Sequence, residues 1–168
     1  MNKLLTVFIT FSFNSLKAQE STLSSDAFLE FIRVEKNIKS LAEEKAKFED
    51  SFFQSPPDSL TLAEIEWLYP KSICYWIEAS PIECNALKLQ SQSVSSIWKT
   101  ENFKKIKITS VKNSGVNYCM LSEPITFGNF TIVVFKRHSR HGFTSGIEIY
   151  ERTEGTWKLK RTLNPIAN

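Results

Sequence analysis

The chain is poor in the residues on which much protein chemistry depends: among 168 residues there are two histidines, three cysteines and five glycines, and no aspartate follows Asp58. It has no His-Glu-x-x-His, no Cys-x-x-Cys and no glycine-rich phosphate loop, so the common zinc-hydrolase, dithiol and nucleotide motifs are excluded. Gly142-Phe143-Thr144-Ser145-Gly146 is not Gly-x-Ser-x-Gly, and it precedes a strand pattern where a nucleophile elbow precedes a helix. Glu64 and Glu66, two apart, diverge on a helix and form no acid/base dyad by spacing. After residue 13 no apolar run approaches the roughly 20 residues that span a bilayer. What is present is a core-forming composition: 42% hydrophobic, 12% aromatic and 23% charged residues, unlike a disordered tail or a collagen-like repeat. A chain of about 150 residues buries roughly 70% of its unfolded surface, so one compact domain needs no metal or disulfide staple.

The first residues read as an address. Lys3 precedes the ten-residue apolar run Leu4–Phe13, and the segment closes on Leu16, Lys17 and Ala18. This is the pattern of a secretory signal peptide. The expectation is a signal over residues 1–18, a single domain over 19–168, no transmembrane segment in the mature chain, and a periplasmic or extracellular address. The net charge of +3 hides a polarity: residues 19–86 hold 6 Lys/Arg against 13 Asp/Glu, and residues 87–168 hold 13 against 5. The halves either neutralise one another or leave a basic face for an anionic ligand or an acidic protein surface. Nucleic acid is not an expected partner.

Local signals change near residue 100. Ser24 fits a helix cap, and apolar residues recur at Ala27, Phe31, Val34, Ile38, Leu41, Phe48 and Phe52 in steps of three and four, which predicts one long amphipathic helix to about residue 52. Ser55-Pro56-Pro57-Asp58 stops it. Thr61…Glu64 and Ser80…Glu83 are capping boxes for two short helices, the second with Pro81 at its first position. Ile73–Ile77 between them reads equally as helix or strand. From Phe103 the period falls to two, with turns at Asn113-Ser114-Gly115, Gly128-Asn129 and Thr153-Glu154-Gly155. The class is α+β: a long N-terminal helix and short helices packed on a C-terminal antiparallel meander sheet.

Ser122-Glu123-Pro124, the strand Phe130–Phe135, Gly146–Tyr150 and the closing Gly155-Thr156-Trp157-Lys158 together resemble the C-terminal half of small secreted proteins of Bacteroidota, and Lys17-Ala18-Gln19 is similar to their signal endings. The closing Gly-x-Trp strand is also similar to cystatin-like and NTF2-like α+β domains. The first likeness implies export; the second implies a pocket between helix and curved sheet, a small-molecule site or an enzyme. In the central loop, where those proteins often carry cysteine and glycine, this chain has Arg137-His138-Ser139-Arg140-His141-Gly142.

Three groups of residues could carry chemistry. Cys74 and Cys84 are close enough in sequence to form a short disulfide loop, or are buried thiols; Cys119 is the third. Arg137, His138, Arg140 and His141 form an anion-binding candidate, since guanidinium forks and protonatable imidazoles suit phosphate, sulfate or carboxylate. The same cations repel a metal ion, so neither a metal nor a cofactor is expected. Trp67, Tyr69, Tyr75, Trp76 and Trp98 cluster at the helix-to-sheet junction, as core or as the lining of a pocket for an apolar or sugar ligand. The reading is a secreted or periplasmic, non-enzymatic binding or interaction domain.

Overall fold

The computed structural model describes residues 26–93, 97–98, 106–111 and 117–167. The signal segment over 1–18, the cap at Ser24 and the turn at Asn113–Gly115 lie outside the described residues. The chain forms two compact units, divided between Asn37 and Ile38.

In the first unit residues 26–35 form helix α1, with Phe28, Leu29 and Ile32 buried and Glu30 paired with Arg33 one turn on. It ends far short of residue 52. Lys36 N–H donates to the carbonyl of Ile32 at 2.9 Å, and Asn37 takes a left-handed φ of 49°. Asparagine tolerates that conformation better than other non-glycine residues and ends helices in this way. Beyond it Ile38 and Leu41 are still buried, but outside any helix, whereas Val34 is 63% exposed. Steps of three and four also arise when a helix, a strand and a 3₁₀ turn succeed one another, which is how the pattern misleads here.

The second unit runs through strand β1 (Ser40–Ala42), a 3₁₀ turn (Asp50–Phe53), helices α2 (Leu62–Leu68), α3 (Ile73–Trp76) and α4 (Pro81–Gln92), then strands β2 (Lys107–Thr109), β3 (Tyr118–Leu121), β4 (Ile125–Phe127), β5 (Phe130–Ser139), β6 (Gly142–Thr153) and β7 (Thr156–Ala167). Both capping boxes form: Thr61 and Ser80 accept from the amides of Glu64 and Glu83, whose carboxylates accept from the cap amides at 2.8 and 2.9 Å. Each cap is worth about 1 kcal/mol to its helix.

Among the described residues seven strands form one sheet, ordered β2-β1-β3-β5-β6-β7, with β4 beside β5. The sheet is largely antiparallel, but β1 lies parallel to both neighbours, with Leu41 opposite Ile108 and Cys119. The β6–β7 turn puts Glu154 and Gly155 at φ 53° and 80°, two positive values in succession, which matches strand twist and favours glycine. On one face Ile132, Val134, Ile147, Ile149 and Leu163 pack against Phe52 and Phe53 of the 3₁₀ turn, Ile73, Cys74 and Ile77 around α3, and Cys84 and Leu87 of α4. On the other face Leu121, Val133, Phe135, Tyr150 and Trp157 are buried too, so β5 is apolar on both sides.

Candidate functional site: an aromatic cleft beside the disulfide

Cys74 and Cys84 are joined by a disulfide with Cα atoms 5.6 Å apart, and Cys119 is a buried free thiol. The bond ties α3 to α4 and fixes the turn between them. Within that turn Ala79 N–H returns to the carbonyl of Cys74 at 2.9 Å, and Glu78 adopts a left-handed φ of 56°. At the other end of α3, Ser72 donates its hydroxyl to the carbonyl of Gln54 at 2.6 Å and accepts from the amide of Tyr75 at 3.4 Å. Tyr75, Trp76 and Glu78 are therefore carried on a short segment anchored at both ends.

These three residues face the end of the sheet. With Ile149, Lys160 and Arg161 they line an open cleft of about 530 Å³. Strict alternation along β7 would send Lys160 to one side and Arg161 to the other. Instead the register slips: Ile149 pairs with Arg161 and Tyr150 with Leu159, so Lys160 is an extra residue on β7. Such bulges re-aim side chains, and here both cations reach one cleft.

The rings of Tyr75 and Trp76 meet edge to face, centroids 4.9 Å apart. The Arg161 guanidinium lies 3.2 Å from the Trp76 centroid and donates to Glu66 on α2 at 2.9 Å. Lys160 sits 4.4 Å over the Phe130 ring and 3.9 Å from Glu151. The lining thus offers aromatic surface, with one face of Trp76 covered by Arg161, together with one carboxylate and two cations whose positions are already set by partners. Those are recognition groups for a polar, flat molecule.

The histidine-arginine segment is arranged differently from a loop. β5 continues to Ser139 and β6 begins at Gly142, so only Arg140 and His141 occupy the turn. Arg137 and His138 are successive strand residues and point to opposite faces. His138 stacks between Tyr118 (4.6 Å, 16°) and Phe143 (4.6 Å, 48°), a ring ladder across three strands. Arg137 donates Nε to the Cys119 sulfur at 3.5 Å. Of the four anion-site candidates, Arg137 and His138 therefore lie on opposite faces of the sheet and Arg140 and His141 in the turn.

Among the five aromatics, Tyr75 and Trp76 line the cleft. Trp98 is buried with the Lys45 ammonium 4.1 Å over its ring, and Trp67 stands 80% exposed on α2. Glu148 and Tyr150 are buried on the opposite sheet face, where the tyrosine hydroxyl donates to the carboxylate at 2.7 Å. Among the described residues no group of three or more His, Cys, Asp or Glu could hold a metal, and no helix is long and apolar enough to cross a membrane. The cleft residues Glu78, Lys160 and Arg161 escape sequence reasoning, because a bulge and a left-handed glutamate leave no periodic trace.

No family model matches the chain, and neither the curated proteins nor the solved structures contain a significant match.

Proposed function

We propose that the protein is an exported, non-enzymatic binding domain whose ligand is a sugar or sugar acid held in the cleft of Tyr75, Trp76, Glu78, Lys160 and Arg161. The observation that carries this reading is the bulge that turns Lys160 and Arg161 toward the Tyr75–Trp76 ring pair. Rings stack on the apolar face of a sugar, while charged donors and an acceptor take its hydroxyl or carboxylate groups. Titration of the protein with glucuronate and with glucose, followed by tryptophan fluorescence, tests it. Saturable binding of glucuronate, weakened about tenfold in Arg161→Ala, is expected, with the sugar recovered unchanged. Absence of saturation by either sugar, or conversion of the bound sugar, would refute the reading.

Export is supported by the positively started apolar run before Ala18 and by the Cys74–Cys84 bond, which a reducing cytosol does not sustain. Intact mass of the protein from the cell envelope should place the first residue within a few positions of Gln19. Recovery with Met1 in place would overturn the address.

A further inference from the structure

A second cavity, of about 220 Å³, opens on the same sheet face where the 3₁₀ turn stops covering it. Its position follows from β5. Ile132, Val134 and Lys136 alternate onto one face; the first two enter the core and Lys136 comes at the rim. Cross-strand from Lys136 is Ser145, and one step along lies Val134 opposite Ile147. Val134, Ile147 and Leu163 make an apolar floor.

The charged groups of the lining are Lys136, Lys71 and Glu49, two cations against one carboxylate. Lys136 is half-buried and, among the described residues, has no carboxylate within ion-pair distance. Lys71 lines the same cavity, its ammonium 3.6 Å from Glu49 and 5.8 Å from the Phe52 centroid. The glutamate side chain is 57% exposed, and a pair of that kind is held weakly, so an incoming anion can compete for the lysine. Long lysine stems lie along apolar surface while the charged ends stay at the opening.

We propose that this cavity binds a small organic carboxylate with an apolar body, its charge between Lys136 and Lys71 and its hydrocarbon on the floor. A bare inorganic anion would satisfy the lysines but leave that floor unfilled. A neutral apolar molecule would fill the floor but leave Lys136 without a counter-charge. The volume lies below the roughly 300 Å³ at which pockets for drug-sized molecules begin, so the ligand is fragment-sized. This site is separate from the sugar cleft and does not rest on it.

The test is an amide NMR titration of the whole chain with hexanoate, hexan-1-ol and inorganic phosphate as probes. Saturable shifts at Val134–Lys136 and Ser145–Ile147 are expected with hexanoate, with hexanol and phosphate each at least about tenfold weaker. Lys136→Met and Lys136→Gln should each weaken hexanoate about tenfold while leaving Tm within a few degrees. The comparison of probes on the wild type needs no variant. No saturation by hexanoate up to about 10 mM would overturn the proposal. So would phosphate or hexanol binding as tightly as hexanoate, shifts confined to the Tyr75–Trp76 cleft, or unchanged hexanoate affinity in folded Lys136 variants.

Discussion

Reducing the Cys74–Cys84 bond has an effect that can be worked out from the chain between the two sulfurs. The sequence separation is 10. For a loop of that size the chain-entropy relation gives about 9 cal/mol/K, or about 2.7 kcal/mol at 25 °C. In a domain of about 150 residues each kcal/mol moves Tm by roughly 2–4 °C, so the expected fall is roughly 5–11 °C. The native state is otherwise held in place. Ala79 N–H still reaches Cys74 and the Ser80–Glu83 capping box still closes α4, while both sulfurs lie in the core cluster. The reduced protein should therefore remain folded, only less stable. Thermal unfolding followed by circular dichroism, with and without dithiothreitol at one pH, measures the difference, and thiol titration of the denatured, unreduced protein should count one thiol, that of Cys119. Three thiols would refute the bond. One thiol with a Tm shift under about 1 °C would refute the loop-entropy reasoning instead.

Other consequences are equally direct. The hydroxyls of Thr61 and Ser80 donate to the carboxylates of Glu64 and Glu83 and hold both below the ordinary carboxylate range. Their contribution is complete above that range and is lost as pH falls through it toward the folded values, so the Glu64→Gln/Glu83→Gln variant should show a shallower loss of Tm on acidification; an identical slope would sink the argument. Tyr150→Phe deletes a buried hydroxyl that donates to Glu148 at 2.7 Å, and urea unfolding should report a loss of about 1.5–3 kcal/mol. Ile132→Ala, at a site with no solvent exposure between β4 and β6, should cost about 2–5 kcal/mol, and a value under about 1 kcal/mol would mean that the core face is misassigned.

What could be read from the residues was whatever depends on neighbours in sequence. The boxes at Thr61 and Ser80, the turn residues Gly128 and Gly155, and the double apolar face of β5 each declare themselves within a few positions. Elements whose state depends on distant partners did not. Leu41 is a strand residue because Ile108 and Cys119 flank it, not because Ser40–Ala42 has any strong preference of its own. Arg137 and His138 read as loop because they are polar, yet Tyr118 and Phe143 give His138 rings to stack against and the hairpin lengthens accordingly. The cleft was half-visible: Tyr75 and Trp76 stood out as large aromatics, whereas Lys160 and Arg161 needed the bulge to bring them together.

The parallel insertion of β1 also bears on the order in which the molecule assembles. Hairpins β4–β5 and β5–β6 close through short turns and can form as soon as their own residues are available. β1 cannot. It is an early segment that must wait between two late ones, and the entropy of closing those long loops is spent before any sheet contact rewards it. Until residues beyond Cys119 are present, Leu41 has no neighbour on that side and stays exposed. A chain built this way resists early collapse into its final sheet, and it leaves an unpaired apolar strand as its main risk of aggregation on the way.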